Sequence, residues 1–214
     1  MQSIALIDYG SGNLRSAEKA LLKVSEALDG ARQVHVTADP EVVAKADAIV
    51  LPGVGAFKAC MDAVEARPGL TAALDEAVAR RGVPYLGICV GMQLMATRGL
   101  EFGATAGFDW IAGETRRIEP EGRAFKVPHM GWNDLVGMAE HPLFAGLPKG
   151  APVYFTHSFA MFPSRHDDVI AEADHGGRFP AAVARENMTG VQFHPEKSQA
   201  AGLALLANFL RWRP

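Results

Sequence analysis

Two cysteines, Cys60 and Cys89, are all that the 214 residues contain. They are too few for a disulfide framework and lack the paired spacing of a zinc site. No apolar run approaches the roughly 20 residues of a membrane span. Nothing forms a basic arm or stripe either, and the formal net charge is −3 with both signs interspersed, which argues against nucleic acid as a direct partner. The opening MQSIALIDYG has no basic region and no cleavage site, so it reads as a first strand and not as a secretory leader, and a cytoplasmic location is expected. Internal repeats, low-complexity tracts and linkers are also missing. With 49% hydrophobic and 21% charged residues, residues 1–214 read as one globular domain.

What is present is alternation. SIALID is an apolar run ending in Asp8, followed by the Gly-rich YGSGN and a helical pattern with Leu14, Ala17, Leu21 and Leu28 on one face. RQVHVT reads as a second strand, TADPEVVAKA as a short helix, and DAIVLPGVG as a third strand with another Gly-rich turn. Helical spacing covers residues 56–66 and 70–81, before a strand that ends at Cys89. This order predicts an α/β fold, a mainly parallel central sheet flanked by helices and joined by right-handed crossovers. Chemistry in such sheets lies beyond the carboxyl ends of the strands, where the turns at 10–12, 53–55 and 87–91 all fall. From about residue 105, GETRRIE, AFKVPHMGWND, APVYFTHSFAM, DVIAEAD and AAVARENMTGVQF read as shorter strands, giving added antiparallel hairpins on or beside the parallel core. A final helix, AAGLALLANFLRW, places Leu203, Leu206 and Leu210 on one face.

The two cysteines stand in different settings. Phe57, Cys60, Met61 and Val64 share the apolar stripe of a helix, so Cys60 reads as core. Cys89 sits in VPYLGICVGMQLM, where an apolar strand meets a helix, with glycines two positions to either side. Gly-x-nucleophile-x-Gly is the pattern of a strained strand-to-helix elbow, where only glycine leaves room for the crowded neighbours. The following helix aims its first N–H groups at the thiol. A buried structural cysteine is the competing reading, and the glycines favour a nucleophile.

A cysteine nucleophile needs a base, and the base needs an orienting group. Among seven histidines, His194 in VQFHPEKS is the best placed. Pro195 pushes it into an extended conformation, and in such a segment His194 and Glu196 point the same way. The pattern gives a triad of Cys89, His194 and Glu196. LPGVG, with Gly53 and Gly55, can turn backbone N–H groups toward an oxyanion, or can be a plain tight turn. DYGSGN matches neither a Walker loop nor the full dinucleotide fingerprint.

GICVGMQ followed by VQFHPEKS resembles the class I glutamine amidotransferases, whose nucleophile, histidine and glutamate match Cys89, His194 and Glu196. IDYGSGNLRS, LPGVGAF, KVPHMGWN and HSF narrow the resemblance to the glutaminase subunits of imidazole glycerol phosphate synthases, from residue 4 to about 210. It implies the flavodoxin-like fold of that family. It also implies that Gln93, Ser158 and Phe159 hold L-glutamine, and that Gly53, Val54 and the N–H of Val90 form an oxyanion hole. Asn13, His129, Trp132 and Lys197 would lie towards a partner, a (β/α)8-barrel cyclase subunit that consumes the ammonia in L-histidine biosynthesis. No cofactor and no metal are expected. Phe159 stands where the family usually has tyrosine, which removes a hydroxyl near the substrate, and Val90 stands where leucine is frequent. The rival readings are the same glutaminase chemistry serving another synthase such as pyridoxal phosphate synthase, a stand-alone cysteine hydrolase, and a non-catalytic cysteine-containing α/β protein.

Overall fold

Strands whose residues are apolar on both faces must be covered on both sides, and three of the first four strands are of this kind. The computed structural model describes residues 1–122 and 124–214. The first half runs β1 (Gln2–Ile7), α1 (Leu14–Ala27), β2 (Arg32–Thr37), α2 (Pro40–Ala44), β3 (Ala48–Gly53), α3 (Phe57–Glu65) and α4 (Leu70–Asp75). A π-helical turn, Glu76–Arg80, extends α4 before β4 (Tyr85–Cys89) and α5 (Val90–Gln93). Every residue of β3 and β4 is buried, as is β1 from Ile4 onward, whereas the edge strand β2 has no fully buried residue. The second half adds β5 (Arg98–Gly99), β6 (Thr105–Ala106), β7 (Gly113–Arg117), β8 (His129–Asp134), β9 (Pro152–His157) and β10 (Phe159–Pro163). It ends with β11 (Val169–Asp174), β12 (Arg178–Arg185), β13 (Met188–Val191) and α6 (Gln199–Arg211).

The main sheet has the order β11-β12-β13-β4-β3-β1-β2. Pairing is parallel from β13 through β2 and antiparallel from β11 through β13. The chain moves outward from β1 to β2, then back across β1 to β3 and on to β4. Right-handed crossovers therefore put α1 on one face and α2, α3 and α4 on the other. The contacts agree: α1 packs on α6, while α2 and α3 both meet α4. The reversal beside β1 is the switch point at which α/β sheets open a crevice. Register then decides which residues meet there. Gly53 is paired with Cys89 on one side of β4, and on the other side Val191 is paired with Ile88.

Four sequence expectations change, the first being that AAVARENMTGVQF is a hairpin of β12 and β13 turning at Glu186–Asn187. APVYFTHSFAM is two strands, because β9 pairs with β8 while β10 pairs with β7 in a four-stranded sheet of order β10-β7-β5-β6. The corner between them is Ser158, whose carbonyl accepts the Ile118 N–H at 3.0 Å. The run AFKVPHMGWND pairs only from His129 onward, after a cis Val127–Pro128 bond. The buried face of α6 is Gly202, Leu205, Leu206, Phe209 and Leu210, with Leu203 half-buried. That rotation follows from close approach: a Cβ on Gly202 would lie 1.8 Å from the Pro195 carbonyl oxygen. Among the described residues no helix is long and apolar enough to cross a membrane.

The Gly202 contact seats α6 on the turn that carries His194, and backbone cannot rotate out of the way as a side chain can. Gly202→Ala is therefore expected to destabilise by about 1–3 kcal/mol, the usual range for overpacking. A lowered urea midpoint with an unchanged m-value would show it; an unchanged midpoint would show that α6 slides freely over the turn.

Candidate active site

At the elbow, the strain sits on the cysteine itself. Cys89 has φ 54° and ψ −109°, a conformation that non-glycine residues adopt only where the surroundings enforce it. Gly87 and Gly91 contribute space and keep negative φ angles. A Cβ on Gly87 would lie 2.4 Å from the Gly91 carbonyl oxygen, and one on Gly91 would lie 1.8 Å from that of Leu51. The Tyr85 hydroxyl donates to the same Gly91 carbonyl at 2.9 Å, pinning the first turn of α5. Cys60 lies on the buried face of α3 with Phe57, Met61 and Val64. Burial pushes its thiol up from the ordinary range, so it is an inert side chain.

His194 and Glu196 are side by side, but through a turn and not the expected extended segment: His194 is extended while Pro195–Lys197 forms one 3₁₀ turn, and Nδ1 and Oε1 are 2.8 Å apart with both side chains 1% exposed. The turn is held by its backbone. His194 N–H donates to the Tyr154 carbonyl at 2.9 Å. Ser198 Oγ donates to the His194 carbonyl at 2.6 Å and accepts the Tyr154 N–H at 3.0 Å. His194 Nε2 is buried without a conventional partner and faces the Cys89 thiol. Burial works against a charged imidazole, but the contacts to Cys89 and Glu196 outweigh it and raise His194 to about 9. The arrangement can take a proton from sulfur and hold it.

The turn after β3 is in place but tied down. Gly53 lies against the elbow so closely that a Cβ would be 2.8 Å from the Val90 Cβ. Val90 opens α5, so its N–H is one of the free first-turn donors. The Val54 N–H, expected as an oxyanion donor, instead donates to Ser11 Oγ at 2.9 Å. The hole of Gly53, Val54 and Val90 is thus not assembled in this state. Nothing in the spacing of DYGSGN pointed to Ser11.

A cavity of about 260 Å³ opens over the thiol, lined among others by Val54, Cys89, Gln93, Glu101, Ser158 and Phe159. Gln93 is only partly free for a ligand. Its Nε2 donates to the Phe159 carbonyl at 2.8 Å and to Gln192 Oε1 at 3.1 Å, leaving Oε1. Glu101, which sequence reasoning missed, adds a carboxylate to the wall while capping α3 through the Phe57 N–H at 2.9 Å. In the same wall His157 Nδ1 is 3.0 Å from the Phe159 carbonyl, so that nitrogen must donate. Its Nε2 then accepts from His129 Nδ1 at 3.0 Å, and His129 Nε2 accepts from Asn133 Nδ2 at 3.3 Å. Burial lowers His129 to about 4 and His157 to about 3. The neutral pair therefore props the Ser158–Phe159 corner in one tautomeric pattern.

The residues expected towards a partner separate into two groups. His129 is buried and points inward from β8, whereas Trp132, at odd spacing from it, points outward and is half exposed. Period-two alternation forbids both from sharing a face. Lys197 is exposed, with its Nζ 5.9 Å from the Tyr154 ring, and that ring meets Trp132 edge-on at 6.0 Å. Asn13 is half-buried and its Nδ2 donates to Glu196 Oε1, so it belongs to the carboxylate end of the site.

Comparison with known proteins follows the same lines. The profile described as glutamine amidotransferase class-I matches residues 5–212. The imidazole glycerol phosphate synthase subunit HisH of Caulobacter vibrioides is 59% identical over 216 residues, covering all of both chains. That of Ruegeria pomeroyi is 53% identical, covering 98% of this chain and 99% of its own. Among solved structures, a glutamine amidotransferase superposes with a TM-score of 0.70 at 17% identity, covering 97% of each chain. One from Thermotoga maritima gives 0.61 at 14%, covering 91% of this chain and 76% of its own; at such identities the likeness concerns the fold. The chain belongs to the class I glutamine amidotransferases, in the branch of the HisH subunits.

Proposed function

We propose that this chain is the glutaminase subunit of an imidazole glycerol phosphate synthase, working in the cytoplasm, and that its chemistry is carried by Cys89, His194 and Glu196. The observation that supports this most is the buried His194–Glu196 pair facing an elbow thiol that opens into the cavity. Cys89 gives its proton to His194 Nε2, and the thiolate attacks the side-chain amide carbon of L-glutamine. Backbone N–H groups at Val90 and at the Gly53–Val54 turn stabilise the tetrahedral oxyanion. His194 protonates the departing ammonia, leaving a thioester, then activates the water that releases glutamate. Glu196 keeps Nδ1 protonated and balances the imidazolium. The Glu101 carboxylate suits the substrate's ammonium group, and the free Gln93 Oε1 suits an N–H of the substrate. The ammonia passes to a (β/α)8-barrel cyclase subunit, for which the exposed Trp132, Tyr154 and Lys197 form the docking surface. Cys89→Ala should remove glutaminase activity by several orders of magnitude while synthesis from added ammonia survives with the partner present. Labelling by a glutamine-like electrophile at Cys60 alone, on peptide mapping, would overturn the assignment.

The charge state of His194 gives a signed pH expectation. The proton delivered to ammonia is lost as pH rises through the His194 value of about 9, so kcat/KM should fall there. One of the two contacts that raise this value is Glu196. Glu196→Gln should therefore move the alkaline limb to lower pH and reduce turnover less than His194→Ala does. A limb that stays in place would show that Glu196 does not set the imidazole's charge.

The isolated subunit should be a poor glutaminase, because the Val54 N–H is spent on Ser11. One oxyanion donor is worth about 10²–10³ in rate, and the bond to Ser11 about 0.5–1.5 kcal/mol. Ser11→Ala should thus raise the basal glutamate release of the chain alone by roughly 2- to 10-fold, with little gain when the partner is saturating. Equal turnover alone and in complex, in the parent chain, would instead favour a stand-alone hydrolase.

A further inference from the structure

Gln192 is fully buried, and the roles above use only its carbonyl oxygen, which accepts from Gln93. Its place follows from register. Val191 is paired with Ile88 on β4, so the next residue along lies beside Cys89. Its own N–H continues the ladder to Ala181 at 2.8 Å. The chain bends at Gln192–Phe193, which brings the Gln192 side chain to the thiol that His194 also faces: Gln192 Nε2 is 3.5 Å from Cys89 Sγ.

Neighbouring groups fix the direction of that amide. The Phe159 carbonyl can only accept, so the Gln93 atom 2.8 Å from it is the NH2 group. The second hydrogen of that group meets Gln192 at 3.1 Å, which makes the facing atom the Gln192 carbonyl oxygen. The atom left against the sulfur is then the Gln192 NH2. Gln192 does not line the cavity, so it touches the nucleophile and leaves the substrate's space alone.

We propose that Gln192 is a positioning residue for the nucleophile, its amide N–H donating to the Cys89 sulfur so as to favour the thiolate and aim it into the cavity. This rests on Cys89 being the nucleophile. On ionisation the S–H bond breaks, the proton goes to His194 Nε2 and the electron pair remains on sulfur, where the Gln192 N–H points. A bond to a charged acceptor is stronger than one to a neutral thiol, so the contact shifts the ionisation towards thiolate. A carboxamide does not titrate, so the donor is present across the working pH range, unlike the imidazole. When the pair moves into the S–C bond of the adduct, the sulfur weakens as an acceptor. The effect therefore falls on the fraction of reactive thiolate and on its direction, and not on glutamine affinity.

The test is the rate of carbamidomethylation of Cys89 by iodoacetamide as a function of pH, on the full chain, read at the Cys89 peptide. Gln192→Glu keeps the acceptor for Gln93 and the shape, but places a carboxylate oxygen on the sulfur. Its alkylation midpoint should rise by about one unit or more, a tenfold loss of rate below the midpoint. Gln192→Met, which deletes the donor without adding charge, should shift it less and in the same direction, and it carries the test if the glutamate variant does not fold. With the partner present, kcat/KM for glutamine should fall through kcat and leave KM near that of the parent. Midpoints unchanged in the variants that fold, or a rise in KM alone, would overturn the proposal. A His194→Ala arm separates it from the reading it rests on: if that substitution also leaves the Cys89 profile unmoved, the pairing of Cys89 with His194 fails, whereas a shift there alone leaves the triad standing and removes only Gln192.

Discussion

The site depends on one strand being flanked on both sides in a fixed parallel register. β4 ends at Cys89 with Gly53 directly opposite on β3 and with Ile88 paired to Val191 on β13. A slip of one residue would turn every side chain of a strand to the other face, separating the thiol from the oxyanion turn or from the histidine segment. Burial on both faces of β3 and β4 makes that slip costly. The hydrophobic core therefore sets the geometry of the candidate site as well as the stability of the fold.

Next to this register most buried polar groups are committed, the exceptions among the triad candidates being His194 Nε2 and Glu196 Oε2. His194 keeps its place because its N–H, its carbonyl and its Nδ1 are all engaged, so the ring nitrogen facing sulfur is the one left over. The Phe159 carbonyl receives both Gln93 and His157, and His157 is backed in turn by His129 and Asn133. Leaving such groups unpaired in the interior costs about 1–3 kcal/mol each. A buried polar network of this kind holds one arrangement only when every member is satisfied.

The parallel half of the fold was legible from residues, because apolar runs, helical spacing and Gly-rich turns agree there with each other. The elbow and the His194–Glu196 pair were legible for the same reason: glycine spacing and a proline state local geometry. Tertiary pairing was less so. APVYFTHSFAM reads as one continuous strand, and only its assignment to two sheets reveals the corner at Ser158. His129 and Trp132 read as one surface until strand alternation separates them. Ser11, Glu101, Ser198 and Gln192 carry no pattern of their own, since each acts through contacts that include a residue distant in sequence.

The loop after β1 joins the two ends of the site. Ser11 holds the Val54 N–H of the oxyanion turn, and two residues later Asn13, in a left-handed conformation at φ 66°, donates to Glu196. Movement of this loop would act on the oxyanion donor and on the carboxylate behind His194 together, with no need for a signal to cross the cavity. Tyr154 provides a second link of the same type. Its backbone clamps the His194 turn, while its ring lies in the exposed patch between Trp132 and Lys197. The groups that hold the proton relay are thus continuous with the outer surface, whereas the cavity floor is fixed by the sheet. On the roles proposed above, a partner seated on that surface acts first on the backbone that clamps His194.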